Sequence, residues 1–303
     1  MESFSTIAIA GATGYIGGSL AERLLEGEGG VRVLARRPED ERALELKAMG
    51  AEVCRADVLE PPTLGPALDG VSVAYYLVHS MGRGSGGGYA ERDRKGAANF
   101  GSAAAAAGVK QIVYLGGLGE GSEHLSSRHD TARALGDGGV PVTYFRAAAV
   151  IGAGSVSFQT VLHLVKRLPV MVTPRWTSTR TQPIAIGDVV EYLAQARSLD
   201  DPSGIEVQIG GPDITTYAGM IDLLAREMGR RAPLQITVPA LTPWLSSLWI
   251  GLVTPVDTGV ARPLVEGLST ETVVDDRSGM ELFDVEPTPL AEAMQAALGD
   301  EAG

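Results

Sequence analysis

An α/β fold built on a parallel, doubly wound sheet is predicted by three features of this chain. Short β-rich runs alternate with helix-like segments through the first half, those runs are apolar enough for burial on both faces, and the first run enters a helix-like segment through a glycine turn. Strands are expected near 5–10, 31–35, 51–55, 72–78, 109–115 and 141–146, and helices near 15–26, 39–48, 61–68, 89–107 and 128–137.

The first strand, ending Ile7 to Ala10, leads into Gly11-Ala12-Thr13-Gly14-Tyr15-Ile16-Gly17-Gly18 and then the helix-like Ser19 to Leu25. That is the layout of a turn that cradles dinucleotide phosphates. Gly11 permits the tight turn, Gly14 lets the backbone approach a pyrophosphate, and Gly17 lets the helix pack closely on the strand; Thr13, Tyr15 and Ile16 complete the expected contacts. An ordinary strand-to-helix turn can carry the same glycines. The alternation around this one favours the dinucleotide.

The second strand ends Leu34-Ala35-Arg36-Arg37-Pro38. An acidic side chain at this place accepts from ribose hydroxyls, whereas two guanidinium groups suit a 2′-phosphate, so NADP(H) is the expected cofactor. Solvated loop arginines are the other reading. Asp57-Val58 follow the third strand, where a carboxylate and the next amide can meet the adenine, although an aspartate there also serves as a turn or cap residue. Leu77-Val78 end the fourth strand beside the cofactor's path.

After about residue 150 the regular alternation stops. The stretch from Pro169 to Pro183, with Arg175, Trp176, Arg180 and Thr181, reads as irregular, and helix-like character returns from Asp188 to Arg197. A strand from Glu206 to Ile209 ends in Gly210-Gly211-Pro212; a helix near 216–229 and a short strand near 234–238 follow. The apolar Leu241 to Val253, interrupted by Pro243 and Gly251, reads as core or pocket wall. The expected division is a dinucleotide-binding core over 1–150, with a return segment at about 179–200, and a smaller C-terminal α/β substrate lobe over 151–303.

Charge and composition exclude several classes. Asp and Glu number 37 against 25 Lys and Arg, a net charge of -12, which argues against a nucleic-acid surface. The single Cys54 and four unpaired-looking histidines give no disulfide framework and no expected metal site. No signal-like start and no bilayer-length apolar run are read, so a soluble, cytoplasmic protein without stable membrane insertion is expected, acting on a small molecule. Nothing in the pattern sets an oligomeric state.

The arrangement resembles the extended and atypical short-chain dehydrogenase/reductases, especially the branch that includes NmrA-like NADP-binding proteins. The likeness rests on the glycine turn, Arg36, Asp57-Val58, Val113-Tyr114-Leu115-Gly116-Gly117, Arg146-Ala147-Ala148, Gln182-Pro183-Ile184 before Asp188-Val189-Val190, and Ile209-Gly210-Gly211-Pro212. It implies a Rossmann-type core, and the last of these motifs resembles the strand that begins the family's small substrate lobe. The family's usual chemistry uses a tyrosine proton donor, a lysine four residues on, and a serine or threonine after the fifth strand. Here Gly116-Gly117 stand at the hydroxyl position, and setting Arg133 at the family's usual glutamate puts His129 at the lysine and Leu125 at the tyrosine.

Two constellations can replace the missing groups. His79 and Ser80 leave the fourth strand at the sheet edge that binds ligands, and Ser126-Ser127-Arg128-His129-Asp130 open the helix that normally carries tyrosine and lysine. Histidine can donate a proton near neutral pH, and arginine can polarise a carbonyl or fix a carboxylate. His79 also reads as a turn residue, Arg128 as a solvated helix-start residue, and His129 as a ribose contact in place of lysine. The glycine-rich stretch from Gly82 to Gly88 reads as a lid or as a plain crossover. Two functions follow: an NADPH-dependent reductase of a small, largely apolar carbonyl or activated alkene with a non-standard site, or a non-catalytic NADP(H)-binding regulatory, redox-sensing or assembly protein.

Overall fold

A computed structural model describes residues 6–79, 88–121, 123–199, 201, 204–238 and 270–302, without the side chains of 123, 124, 175, 176, 237 and 302. Seven parallel strands form the main sheet: β1 (Thr6–Ala10), β2 (Val31–Ala35), β3 (Glu52–Arg55), β4 (Val71–Tyr76), β5 (Gln111–Gly117), β6 (Val142–Ala147) and β11 (Glu206–Ile209). Their order is β11-β6-β5-β4-β1-β2-β3. The chain therefore reverses its winding between β1 and β4, and a crevice opens there at the carboxyl ends.

Period-two alternation explains the apolar strands. Ile7 and Ile9 of β1 join Val33, Val73, Tyr75, Val113 and Phe145 on one face, under α1 (Tyr15–Leu25) and α7 (Ile186–Ala196). Ala8 and Ala10 join Leu34, Ala74, Tyr76, Ile112 and Tyr114 on the other, under α3 (Leu64–Leu68), α4 (Tyr89–Ala106) and α5 (Glu123–Gly136). Both faces are thus dry, and each fully buried large aliphatic side chain contributes about 1.5–3 kcal/mol. The short α2 (Glu41–Ala48) packs through Ala43 and Leu46. Small residues in α4 have a packing reason: a Cβ on Gly101 would strike the carbonyl oxygen of Leu135 in α5.

The first-half elements fall close to their expected places, with two differences. The segment near 61–68 opens with a 3-10 turn, Pro61–Thr63, before α3. Helix α5 starts at Glu123, so Ser126 to Asp130 lie inside it rather than at its start. Leu125 is buried there; tertiary burial carries the helix through serines of modest helix propensity.

Beyond β6 the architecture departs further. Strand β11, which resembled the start of a small lobe, pairs in parallel with β6, with Val207 opposite Phe145, and so ends the main sheet. The stretch from 169 to 183 is not irregular throughout: it holds β8 (Val170–Thr173) and β9 (Arg180–Thr181). β8 pairs with β13 (Leu234–Thr237), β9 with β12 (Thr215–Thr216), and β7 (Val150–Ile151) with β10 (Ile184–Ala185). Helices α6 (Val156–Arg167), α8 (Tyr217–Glu227) and α9 (Leu290–Ala302) enclose a separate cluster that includes Phe158, Leu162, Met220, Leu224 and Met294.

Buried polar groups tie this part to the sheet. Asp188 accepts from the backbone N–H and the hydroxyl of Thr288, both at 2.8 Å. Gln182 donates to the Gly211 carbonyl at 2.7 Å and accepts from Val274 N–H at 3.0 Å. Among the described residues, no helix is long and apolar enough to cross a membrane.

Candidate functional site

The turn after β1 is built from main chain. Gly11 has φ of 93°, and a Cβ there would stand 2.5 Å from the Leu77 carbonyl oxygen, so both conformation and space require glycine. A Cβ on Gly17 would strike the Gly11 carbonyl, which is why α1 can start so close to the turn. Gly14 is the N-cap of α1, and no acidic residue occupies the helix's first turn. Such an N-terminus, with free N–H groups and the positive end of the helix dipole, favours an anion.

Two cavities meet at this turn and share Gly11, Gly14, Leu77 and His79. One, of about 250 Å³, is lined on its other sides by Thr13, Leu34, Arg36, Ala56, Val58 and Val78. The other, of about 310 Å³, is lined by Tyr15, Ile16 and Gly17, the β5 end Leu115-Gly116-Gly117, Arg128, Ala147-Ala148, and residues 154–157 at the start of α6. Together they make a cleft along the carboxyl edge at the switch point, where α/β sheets take their ligands.

Three of the residues expected at the cofactor do not line either cavity. Arg37 turns to Asp40, with Nε 3.1 Å from the carboxylate, so only Arg36 of the pair opens onto the cleft. The Asp57 carboxylate accepts from Leu59 N–H at 2.9 Å, making the turn that its position also allowed. His129 packs edge-on against Tyr144, with ring centroids 5.8 Å apart and Nε2 buried. Burial, followed by the nearby Arg146 guanidinium, lowers its pKa. Its alternating helical neighbour Arg128 faces the cleft instead.

Arg128 is held from behind. Desolvation opposes its charge, but the Tyr114 phenol and the buried Asp93 carboxylate more than offset this and raise its pKa. His79 lies at the mouth, its outer edge exposed. Crowding by the cleft walls, and then the Arg128 guanidinium, press its imidazole down to about 4. It is therefore neutral at pH 7 and can give or take a hydrogen bond, but it holds no spare proton. Ser80, Gly82 to Gly87 and Leu241 to Val253 lie outside the described residues, as do the side chains of Arg175 and Trp176.

The positions at which the resemblance implies catalytic groups are closely packed. A Cβ on Gly116 would meet the Tyr144 ring at 2.7 Å, and one on Gly117 would meet Leu125 Cδ2 at 2.6 Å. Arg146, buried beneath, donates to the Gly119 carbonyl at 2.7 Å and the Gly117 carbonyl at 3.3 Å, and pairs with Glu206 at 2.6 Å. This fixes the loop that floors the cleft.

Sequence reasoning missed the α6 wall. Ser155 Oγ accepts from Phe158 N–H at 3.1 Å and caps the helix. The signal was present, since a serine before Phe158, Val161, Leu162 and Val165 is an N-cap followed by an apolar helical period.

Comparison with known proteins adds four findings. The NmrA-like family model matches residues 3–196. An NmrA-like family domain-containing protein of Dictyostelium discoideum is 30% identical over 110 residues, 36% of this chain and 34% of that protein, so the match spans about a third of the relative's length. The fold is similar to that of Citrobacter sp. triphenylmethane reductase complexed with NADP(H), with a TM-score of 0.77 and 19% identity over 97% of this chain and 100% of that one. It is also similar to the Escherichia coli NADPH-dependent quinone oxidoreductase complexed with NADPH, with a TM-score of 0.74 and 22% identity over 95% and 98% of the two chains.

Proposed function

The chain belongs to the NmrA-like family, and on that premise we propose that it is an NADPH-dependent reductase of a small, largely apolar carbonyl or activated-alkene molecule. The observation that carries this reading is Arg36, which opens onto the cavity shared with Gly11, Thr13 and Gly14 and has no carboxylate partner among the described residues. An open guanidinium beside a main-chain phosphate cradle suits a dinucleotide with a 2′-phosphate. Both cited reductases were solved with NADP(H) or NADPH, which supports the same cofactor.

When bound, the cofactor supplies a hydride to the substrate carbon, and one proton completes the reduction. The protein's share is positioning. Gly116, Gly117, Ala147 and Ala148 leave width for a flat ring, while Leu77 and Leu115 keep water from it. Arg128 supplies a fixed positive charge at the substrate end of the cleft, and neutral His79 holds the substrate by a hydrogen bond. The proton comes from solvent at the open mouth.

Titration with NADPH and NADH, followed by NADPH oxidation against quinones, enones and aldehydes, tests the reading. Tighter binding of NADPH and turnover of at least one class are expected; equal binding of the two cofactors overturns the cofactor assignment. A second reading, cofactor-dependent binding of a protein partner without turnover, is favoured by the packing of Leu125 over Gly117. NADPH binding with no substrate consumed, together with cofactor-dependent association in pull-downs, selects it.

A further inference from the structure

The chain carries a net charge of -12, with 37 acidic residues, yet among the described residues no Asp or Glu lines either half of the cleft. Its formal charges are two arginines, one in each cavity: Arg36 and Arg128. In the reductase reading, Arg36 and the Gly11–Gly17 turn account for the phosphates. Arg128 is left in the other cavity, beside Gly116, Gly117 and His79, with nothing of opposite charge on the walls around it. Behind the cavity wall the Tyr114 phenol accepts a hydrogen bond from it, and Asp93 acts on it electrostatically.

A second wall of the same cavity has the same preference. The first turn of α6 contains no acidic residue, and Val156 and Ser157 line the cavity there. The first N–H groups of a helix have no intrahelical acceptor, and the Ser155 hydroxyl satisfies the one on Phe158. The amides of Val156 and Ser157, at the cavity wall, thus have no intrahelical acceptor, at a helix end that favours an anion. A cofactor giving up a hydride in this cleft would gain positive charge, and an anionic substrate group beside Arg128 would offset it.

We propose that the substrate pairs its reducible, largely apolar group with a carboxylate, and that Arg128 and the first turn of α6 hold this carboxylate and thereby select the substrate. The proposal deepens the reductase reading and rests on it.

The test uses the full chain with three molecules of one skeleton: 3-benzoylacrylic acid, its neutral methyl ester and its cationic choline ester. NADPH oxidation should favour the acid over the methyl ester by at least tenfold in kcat/KM, with the choline ester slowest. In calorimetry, the saturated acid 3-benzoylpropionate should bind the NADP⁺-loaded protein at least tenfold more weakly in Arg128→Leu, with most of the affinity kept in Arg128→Lys. NADPH affinity should change less than threefold in either variant.

An ester turned over as well as the acid, or saturated-acid binding indifferent to Arg128→Leu, overturns the proposal. A large loss of NADPH affinity in both variants also overturns it, by assigning Arg128 to the cofactor. If no member is turned over while NADPH still binds, the reductase reading fails, and calorimetry still decides the anion site. The preference of the unmodified protein, measured first, keeps the test valid if a variant fails to fold.

Discussion

Gly117 and Leu125 are fitted to each other: a Cβ on the glycine would stand 2.6 Å from Leu125 Cδ2. The glycine ends β5 and the leucine lies buried in α5. Together they occupy the two places where the resemblance leads one to look for a hydroxyl residue and a tyrosine. A hydroxyl residue cannot be restored at 117 without displacing the Leu125 side chain.

Gly117→Ala should therefore destabilise the protein by about 1–3 kcal/mol, the usual cost of overpacking. Leu125→Ala should cost about 2–5 kcal/mol through its cavity. The double variant should be more stable than the sum of the two losses, because the new methyl enters the space that the leucine vacates. Urea unfolding of the four proteins measures this coupling, and strict additivity would show that the pair does not share that space.

The two arginines after β2 should behave differently despite being neighbours. Arg36→Glu should weaken NADPH by tenfold or more, about 1.4 kcal/mol or above, with NADH little changed. Arg37→Glu should alter NADPH binding far less, since its guanidinium is already paired with Asp40. Cofactor fluorescence titrations read both ratios.

At the phosphate turn, Gly17→Ala should abolish NADPH binding, because its methyl would strike the Gly11 carbonyl, a main-chain atom that cannot step aside. Gly14→Ala should be milder, its nearest contact being the same oxygen at 3.3 Å. Thermal midpoints measured with and without NADPH separate lost binding from lost folding.

His79 should titrate near 4 by NMR, below the ordinary histidine range. Its folded pKa is depressed, so between about pH 6.5 and 4 the unfolded chain takes up a proton that the folded one does not. Stability should fall with pH across that window, and His79→Gln should flatten this part of the curve. A resonance that titrates near the ordinary value would remove the basis for a neutral His79.

Arg146→Met should cost on the order of 2 kcal/mol, because the carbonyls of Gly117 and Gly119 lose their buried donor. It should also lower NADPH affinity, since that loop floors the cleft. Glu206→Gln should cost less than Arg146→Met, because the carboxylate lies at the exposed end of the pair and the arginine keeps both carbonyls. Chemical denaturation and cofactor titration of the two variants give the comparison.

Local chemistry made much of this protein legible. The Gly11–Gly17 turn, the apolar strands around it and the alternation of the first half follow from backbone conformation and residue periodicity, which neighbouring residues carry by themselves. For the same reason β2 and β11 have the bounds that their sequences suggest, and Arg36 could be singled out by its place after β2. That Gly116-Gly117, His129 and Leu125 stand where the resemblance implies a hydroxyl residue, a lysine and a tyrosine was equally a reading of sequence.

Tertiary structure decided which side chains reach the cleft. It set β11 beside β6, turned Arg37 to Asp40 and the Asp57 carboxylate to Leu59, and brought the start of α6 to the wall. In α5 it rotated Arg128 into the cavity and His129 toward Tyr144, though the two are adjacent in the chain. Sequence specifies which groups are available and where the backbone can bend. Helix rotation, and the through-space partner that each long side chain finds, determine which of those groups remain for a ligand.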